Sequence, residues 1–212
     1  MRMIADKPTS FPVVAHDRVW RGAVFDMDED RVQLSENTTV VRHYVAHTGA
    51  VAIVALRWND GRPQVALVNQ YRHPVQATLW EIPAGLLDKP GERPLDAAKR
   101  ELKEETDLKA QRWDVLVDFF TSPGGSTEAL RIYLAREVSE VPLGERFERE
   151  DEEALMQTRW VNLEEAVAAI HSGQLHNPSA VMGLLATKSA LDKDWAPLRP
   201  SDAPWMRSPL GR

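Results

Sequence analysis

Seven consecutive apolar residues, Ala50-Val51-Ala52-Ile53-Val54-Ala55-Leu56, set the tightest limit on what this chain can fold into. A run of that length with no polar position is what a buried strand gives. A turn, Asn59-Asp60-Gly61-Arg62, follows it, and Gln64 to Tyr71 return as a second strand. Leu79-Trp80-Glu81-Ile82-Pro83 reads as a short strand ended by its proline. Downstream, the pattern predicts a helix over 93–106, strands at 113–120, 129–135 and 156–161, and helices near 163–171 and 178–191. With β-runs on both sides of one central helix, the expected class is α+β, a mixed sheet sandwiched by helices.

The flanks read differently. Residues 11–47 hold three β-rich stretches, at 11–20, 23–27 and 38–45, which predict a small antiparallel sheet ahead of the main domain. Pro197, Pro200, Pro204 and Pro209 exclude a regular helix in the tail, while Trp195 and Trp205 imply that part of it packs. The expected organisation is a β-rich segment over 1–47, a main domain over 48–195 and a Pro-rich tail over 196–212.

Composition removes several function classes. The 212 residues contain no cysteine, which excludes disulfide scaffolds, thiolate zinc sites and cysteine nucleophiles. No apolar run approaches the roughly 20 residues that span a bilayer, and the first residues lack an apolar stretch of signal-peptide length. We expect a cytoplasmic protein with no membrane partner. A formal net charge of −6 argues against general nucleic-acid binding. A polyanionic small molecule would need local arginines, backbone N–H groups or a divalent cation.

The helix at 93–106 supplies such chemistry. Glu101, Glu104 and Glu105 fall on one stripe, and Leu95, Ala98 and Leu102 on another that should face the core. Arg100 sits one turn before Glu104 and can pair with it. Carboxylates at these spacings repel one another, so a helix built for stability alone would interleave lysines. Two or three carboxylates with water are a common Mg²⁺ arrangement. By itself the stripe also reads as a solvated acidic face.

Its surroundings decide between these. Gly85, Glu92 and the run Arg100-Glu101-Leu102-Lys103-Glu104-Glu105-Thr106-Asp107-Leu108 resemble the Nudix box, G-x5-E-x7-R-E-U-x-E-E-x-G-U with U apolar. Two positions depart from it. Six residues separate Gly85 from Glu92, with the extra one in the turn Asp88-Lys89-Pro90-Gly91, and Asp107 stands where the box has glycine. Asp tolerates left-handed backbone angles better than most residues, and neither change touches a ligand position.

The resemblance implies an α/β/α sandwich that hydrolyses nucleoside diphosphates linked to another moiety, with Mg²⁺ or Mn²⁺. It assigns Glu101 and Glu105 as main metal ligands, Glu104 as a ligand or water-mediated contact, and the Ala84 carbonyl as a further ligand. Glu92 would hold a further metal or support Arg100. Around the box, Gln70-Tyr71-Arg72-His73, Trp80 through Leu86, and Ser122-Pro123-Gly124-Gly125 resemble the ADP-ribose pyrophosphatases of the family. Pro123 lies fifteen positions after Leu108, where those enzymes carry a proline. That likeness implies hydrolysis of ADP-ribose to AMP and ribose 5-phosphate, with GDP-mannose or another nucleotide sugar as the alternative substrate. An ADP-ribose-sensing module is the alternative of a different class, and the intact box acids argue against it.

In this reading Arg72 contacts phosphate, Leu86 borders the substrate, and Pro123 and Gly124 bring backbone close to it. Arg42 and His43 contact the adenosine half. The resemblance further implies a homodimer in which the N-terminal sheet crosses to the partner's site. In several such enzymes the catalytic base lies on a loop before a late strand. Glu153 best fits that place, with Glu152 next, inside the acidic run 148–153.

Overall fold

The structure, a computed structural model, describes residues 4–148, 156–208 and 210–211. The chain divides into two compact units. One takes the chain up to Gly49, Phe120–Ala129 and the residues from Pro204 onward; the other takes Ala50–Phe119 and Leu130–Ala203.

The first unit is built on three antiparallel strands, β1 (Val13–Arg21), β2 (Phe25–Ser35) and β3 (Thr38–His47). The expected stretch at 23–27 is only the start of β2, which continues to Ser35. Its charged middle, Asp28-Glu29-Asp30-Arg31, hid that continuation from a composition-based reading. Side chains alternate along a strand, and here Asp26, Asp28 and Asp30 share one buried face, each no more than 2% exposed. Their charges are met locally. Arg18 forks onto Asp28 at 2.8 and 3.0 Å and reaches Asp26 at 2.8 Å. Asp30 takes His16 Nδ1 at 2.7 Å and the Tyr44 hydroxyl at 3.1 Å.

The second unit holds an eight-stranded mixed sheet. Its strands are β4 (Ala50–Asn59), β5 (Arg62–Arg72), β6 (Ala77–Glu81), β7 (Ala84–Leu86), β8 (Leu108–Phe120), β9 (Ala129–Glu140), β10 (Gln157–Asn162) and β11 (Arg199–Pro200). The main path runs β10-β5-β4-β9-β8-β11, with β6 on β5 and β7 on β4. β4 and β9 are parallel, and β4 and β5 form an antiparallel hairpin in which Asn59 pairs with Arg62. The apolar run is explained by two cores. Ala52, Val54 and Leu56 face one that includes α2 (Leu163–His171) and α3 (Pro178–Leu191). Val51, Ile53 and Ala55 face the other, against Ala97, Ala98 and Leu102 of α1 (Pro94–Thr106). A strand covered on both faces has no reason to alternate. Helices on both faces of a mixed sheet make the expected α/β/α sandwich.

Candidate active site

α1 carries the acid stripe and is held at both ends. Pro94 opens it, where a missing N–H costs nothing. Asp107 closes it in the left-handed region (φ 56°), its N–H donating to the Lys103 carbonyl at 3.0 Å, so the aspartate does the work of the glycine expected there.

Arg100 lies among the acids. Its Nε and Nη2 fork onto Glu92 at 3.0 and 2.9 Å, and Nη1 donates to Glu101 at 2.5 Å and Glu104 at 2.9 Å. The expected pair with Glu104 is thus one arm of a four-residue network. The hydrogen bonds from Arg100 hold the Glu92 carboxyl below the usual carboxylate range, and Glu92 in turn raises the guanidinium further. One cation therefore allows three acids to sit together on a single helix turn and its approach.

Glu105 does not fit the alternative reading of the stripe as a solvated face. It is buried at 8% exposure, and its Oε2 accepts the Ala84 N–H at 3.0 Å. The cause is β7, whose backbone runs beside the helix. Gly85 belongs to the same contact: a Cβ there would lie 2.0 Å from the Glu101 carboxyl carbon, so only glycine lets that carboxylate lie over the Ala84–Gly85 backbone. Glu105 and Glu101 are thereby brought against the Ala84–Gly85 backbone, and Glu104 is joined to Glu101 through Arg100. Among the described residues no three Asp, Glu or His side chains are grouped as they would be around a metal ion; Arg100 and the Ala84 N–H engage the carboxylates instead.

Arg72, expected on phosphate, grips the buried Glu81 through two bonds of 2.9 and 2.7 Å. Sequence reading had no signal for Glu81 beyond its place in a short strand. Leu86 is half-buried on β7, paired with Ala50.

The remaining expected residues lie in the first unit. Arg42, His43, Pro123 and Gly124 all border one cavity of about 720 Å³. The pleat nonetheless sends Arg42 and His43 to opposite faces of β3. Arg42 pairs across the sheet with Asp30, and His43 pairs with Glu29, to which its Nε2 lies 2.7 Å from Oε2. Pro123 and Gly124 form a tight turn, with the Gly125 N–H donating to the Ser122 carbonyl at 2.9 Å. Asp30 and Tyr44, which also line the cavity, were missed. The signal was present as Asp-x-Asp-x-Asp at 26–30, a period-two acid ladder one strand away from His16 and Arg18. Glu153, Glu152 and Glu150 lie outside the described residues.

Comparison with known proteins gives the family. The NUDIX domain profile matches residues 46–180. The chain is 41% identical over 199 residues to the ADP-ribose pyrophosphatase of Mycobacterium tuberculosis, covering 94% of this chain and 93% of that one. It is 34% identical over 180 residues to the ADP-ribose pyrophosphatase of Bacillus subtilis, covering 84% and 94%. The chain belongs to the NUDIX family. A crystal structure of an ADP compounds hydrolase has the same fold, with a TM-score of 0.72 at 18% identity, over 90% of this chain and 98% of that one.

Proposed function

We propose that this protein is a Mg²⁺-dependent hydrolase, with Mn²⁺ as a substitute, that cleaves the diphosphate of ADP-ribose to AMP and ribose 5-phosphate. The observation that carries the reading is the box with all its acids present, Glu105 set against Ala84, Glu101 against Gly85 and Glu104 held by Arg100. The two similar ADP-ribose pyrophosphatases, matched over most of their length, support the choice of substrate.

Glu101, Glu104, Glu105 and the Ala84 carbonyl would hold the cation, which when bound supplies a Lewis acid for the diphosphate and lowers the pKa of a bound water. Arg100 balances the acids and holds their side chains in place for that role. Arg72, kept in position by Glu81, presents a guanidinium suited to a phosphate oxygen. Glu153 accepts the proton of the attacking water. Arg42, His43, Leu86, Pro123 and Gly124 contact the rest of the substrate.

The protein acts as a cytoplasmic homodimer with the N-terminal sheet exchanged between protomers. Support comes from the apolar side chains that sheet leaves exposed, among them Val14, Val19, Trp20 and Val41. No helix among the described residues is long and apolar enough to cross a membrane. Light scattering at micromolar concentration should give twice the chain mass; a fully active monomer would remove the exchange.

The central test is AMP release by purified protein from ADP-ribose, GDP-mannose and other nucleotide sugars, with Mg²⁺, Mn²⁺ or excess chelator. ADP-ribose should be turned over best, and only with metal. Turnover undiminished in chelator ends the metal reading. Binding of ADP-ribose without cleavage would make the protein a sensor instead.

A further inference from the structure

The C-terminal tail is the sequence feature that the reaction above leaves unused. Met206, Arg207, Ser208 and Leu210 border the cavity of about 720 Å³ opposite no assigned chemistry of their own. A volume of that size suits a nucleoside-sized ligand.

The tail is fastened there at several points. Arg207 Nη2 donates to the Thr48 carbonyl at the end of β3, and the guanidinium stacks on Trp205, 5.1 Å from the ring centre. Gly211 lies against the His47 carbonyl so closely that a Cβ would come within 3.0 Å of it. Beside these ties, Met206 next to Arg207 and Leu210 next to Gly211 stay 40% and 49% exposed. Two apolar side chains held open on a fastened segment are a suitable wall for a flat heteroaromatic ring. The methionine sulfur adds a favourable contact with such a ring. At the cavity's edge the backbone of Gly124 and Gly125 is open, with no atom within 4 Å of where a Cβ would stand. Arg42 and Arg207 bring two guanidinium groups to a lining that also holds the Asp30 carboxylate, itself engaged by His16 and Tyr44.

We propose that Met206 and Leu210 form the wall of the adenine subsite, with Arg207 as the positioning residue that holds them there. The tail then sets affinity for the nucleotide and leaves the rate of the chemistry alone. This rests on the ADP-ribose reading above.

Two measurements on the full chain keep the two ideas apart. Calorimetry with AMP, in the absence of divalent metal, reads the subsite without turnover. Initial rates of AMP release from ADP-ribose read the reaction. Met206→Ala should weaken AMP binding and raise KM by about tenfold, the loss expected from removing a buried apolar side chain, with kcat within about twofold. Arg207→Ala should do the same, and Arg207→Lys should restore most of the affinity, since an ammonium can still donate to the Thr48 carbonyl. Thermal melts of all variants check that the fold is kept. If AMP binds the wild-type chain and none of the variants changes its affinity or KM, the tail is not a wall of the subsite, whatever the substrate. If the wild-type chain does not bind AMP, the assignment of the cavity to adenine fails. If wild-type protein binds AMP but releases none from ADP-ribose, the hydrolase reading fails while calorimetry still tests the tail.

Discussion

The two sheets of this protein differ in what dominates their buried surface. In the eight-stranded sheet the buried positions are mainly apolar, Val51, Ile53, Val54, Val65, Ile132 and Leu134 among them, with Glu81, Arg131 and Arg136 as charged exceptions. In the three-stranded sheet they are Asp26, Asp28 and Asp30, with Ala46 and His47 at the end of β3. The first is held by removal of apolar surface from water, which needs no partner of defined charge. The second holds only while each carboxylate keeps its cation or hydroxyl, because an unmatched buried charge is costly. The chemistry is divided along similar lines. The box acids stand at the edge of the apolar sandwich, where rigid strands fix Ala84 and Gly85 beneath α1. The charged sheet contributes a cavity and, by our proposal, affinity.

The largest effect expected is on turnover with both sheets left intact. Glu105→Gln should lower kcat by about 10³-fold if bound metal contributes around 4 kcal/mol to the transition state. The amide can still accept the Ala84 N–H, so the melting temperature should move little. Loss of fold along with activity would show that the buried Glu105 is structural first. Glu153→Gln should cost about 10²-fold or more in kcat, the usual worth of a general base, with metal and ADP-ribose binding little changed. Glu150→Gln in the same acidic run should do much less. If both retain wild-type kcat, Glu152 or a box glutamate becomes the next candidate.

The difference between the sheets also governs what the sequence revealed. The sandwich was legible because hydrophobic periodicity is its organising principle: α1, α2, α3 and most strands fall within a few residues of the expected positions. The box was legible through its resemblance to the Nudix pattern, since the stripe of Glu101, Glu104 and Glu105 by itself also reads as a solvated helix face. β2 was only half legible, because burial there is carried by aspartates that look like a solvent-facing turn. Two features depend on neighbours distant in sequence and could not be read from spacing. One is the capture of Arg72 by Glu81; the other is the burial of Glu105 against Ala84.

Acid should separate the sheets. Hydrogen bonds from Arg18 hold Asp28 below the ordinary carboxylate range. A group whose folded pKa is depressed adds stability above its unfolded value, near 3.9, and loses it as pH falls through the folded value. Below about pH 4, amides of β1 and β2 should exchange faster while those of β4, β5 and β9 stay protected. Glu92 is depressed in the same way by Arg100, so the approach to α1 should join the acid-sensitive set. At neutral pH, Arg18→Ala should lower exchange protection in β1 and β2 by at least about tenfold, since two buried carboxylates lose a donor. Loss of protection in both sheets at a single acid midpoint would mean that charge is not what distinguishes them.

The smallest effect sharpens the same contrast from the apolar side. The β4–β5 hairpin turns on Asp60 and Gly61, both with positive φ (49° and 73°), the pair of angles a two-residue type I′ loop requires. Nothing lies within 4 Å of where a Gly61 Cβ would stand, so Gly61→Ala meets no steric clash and pays only for its backbone conformation. That conformation costs an L-residue about 1–2 kcal/mol, partly offset by the smaller entropy that alanine has in the unfolded chain. A net loss of about 1 kcal/mol should lower the melting temperature by about 2–4 °C in a chain of this size, with kcat unchanged. Because no ionisable contact is altered, the loss should be the same at pH 5 and pH 8. A Gly61→Ala penalty that grows on acidification would tie the hairpin to a titrating group and blur the division between the two sheets.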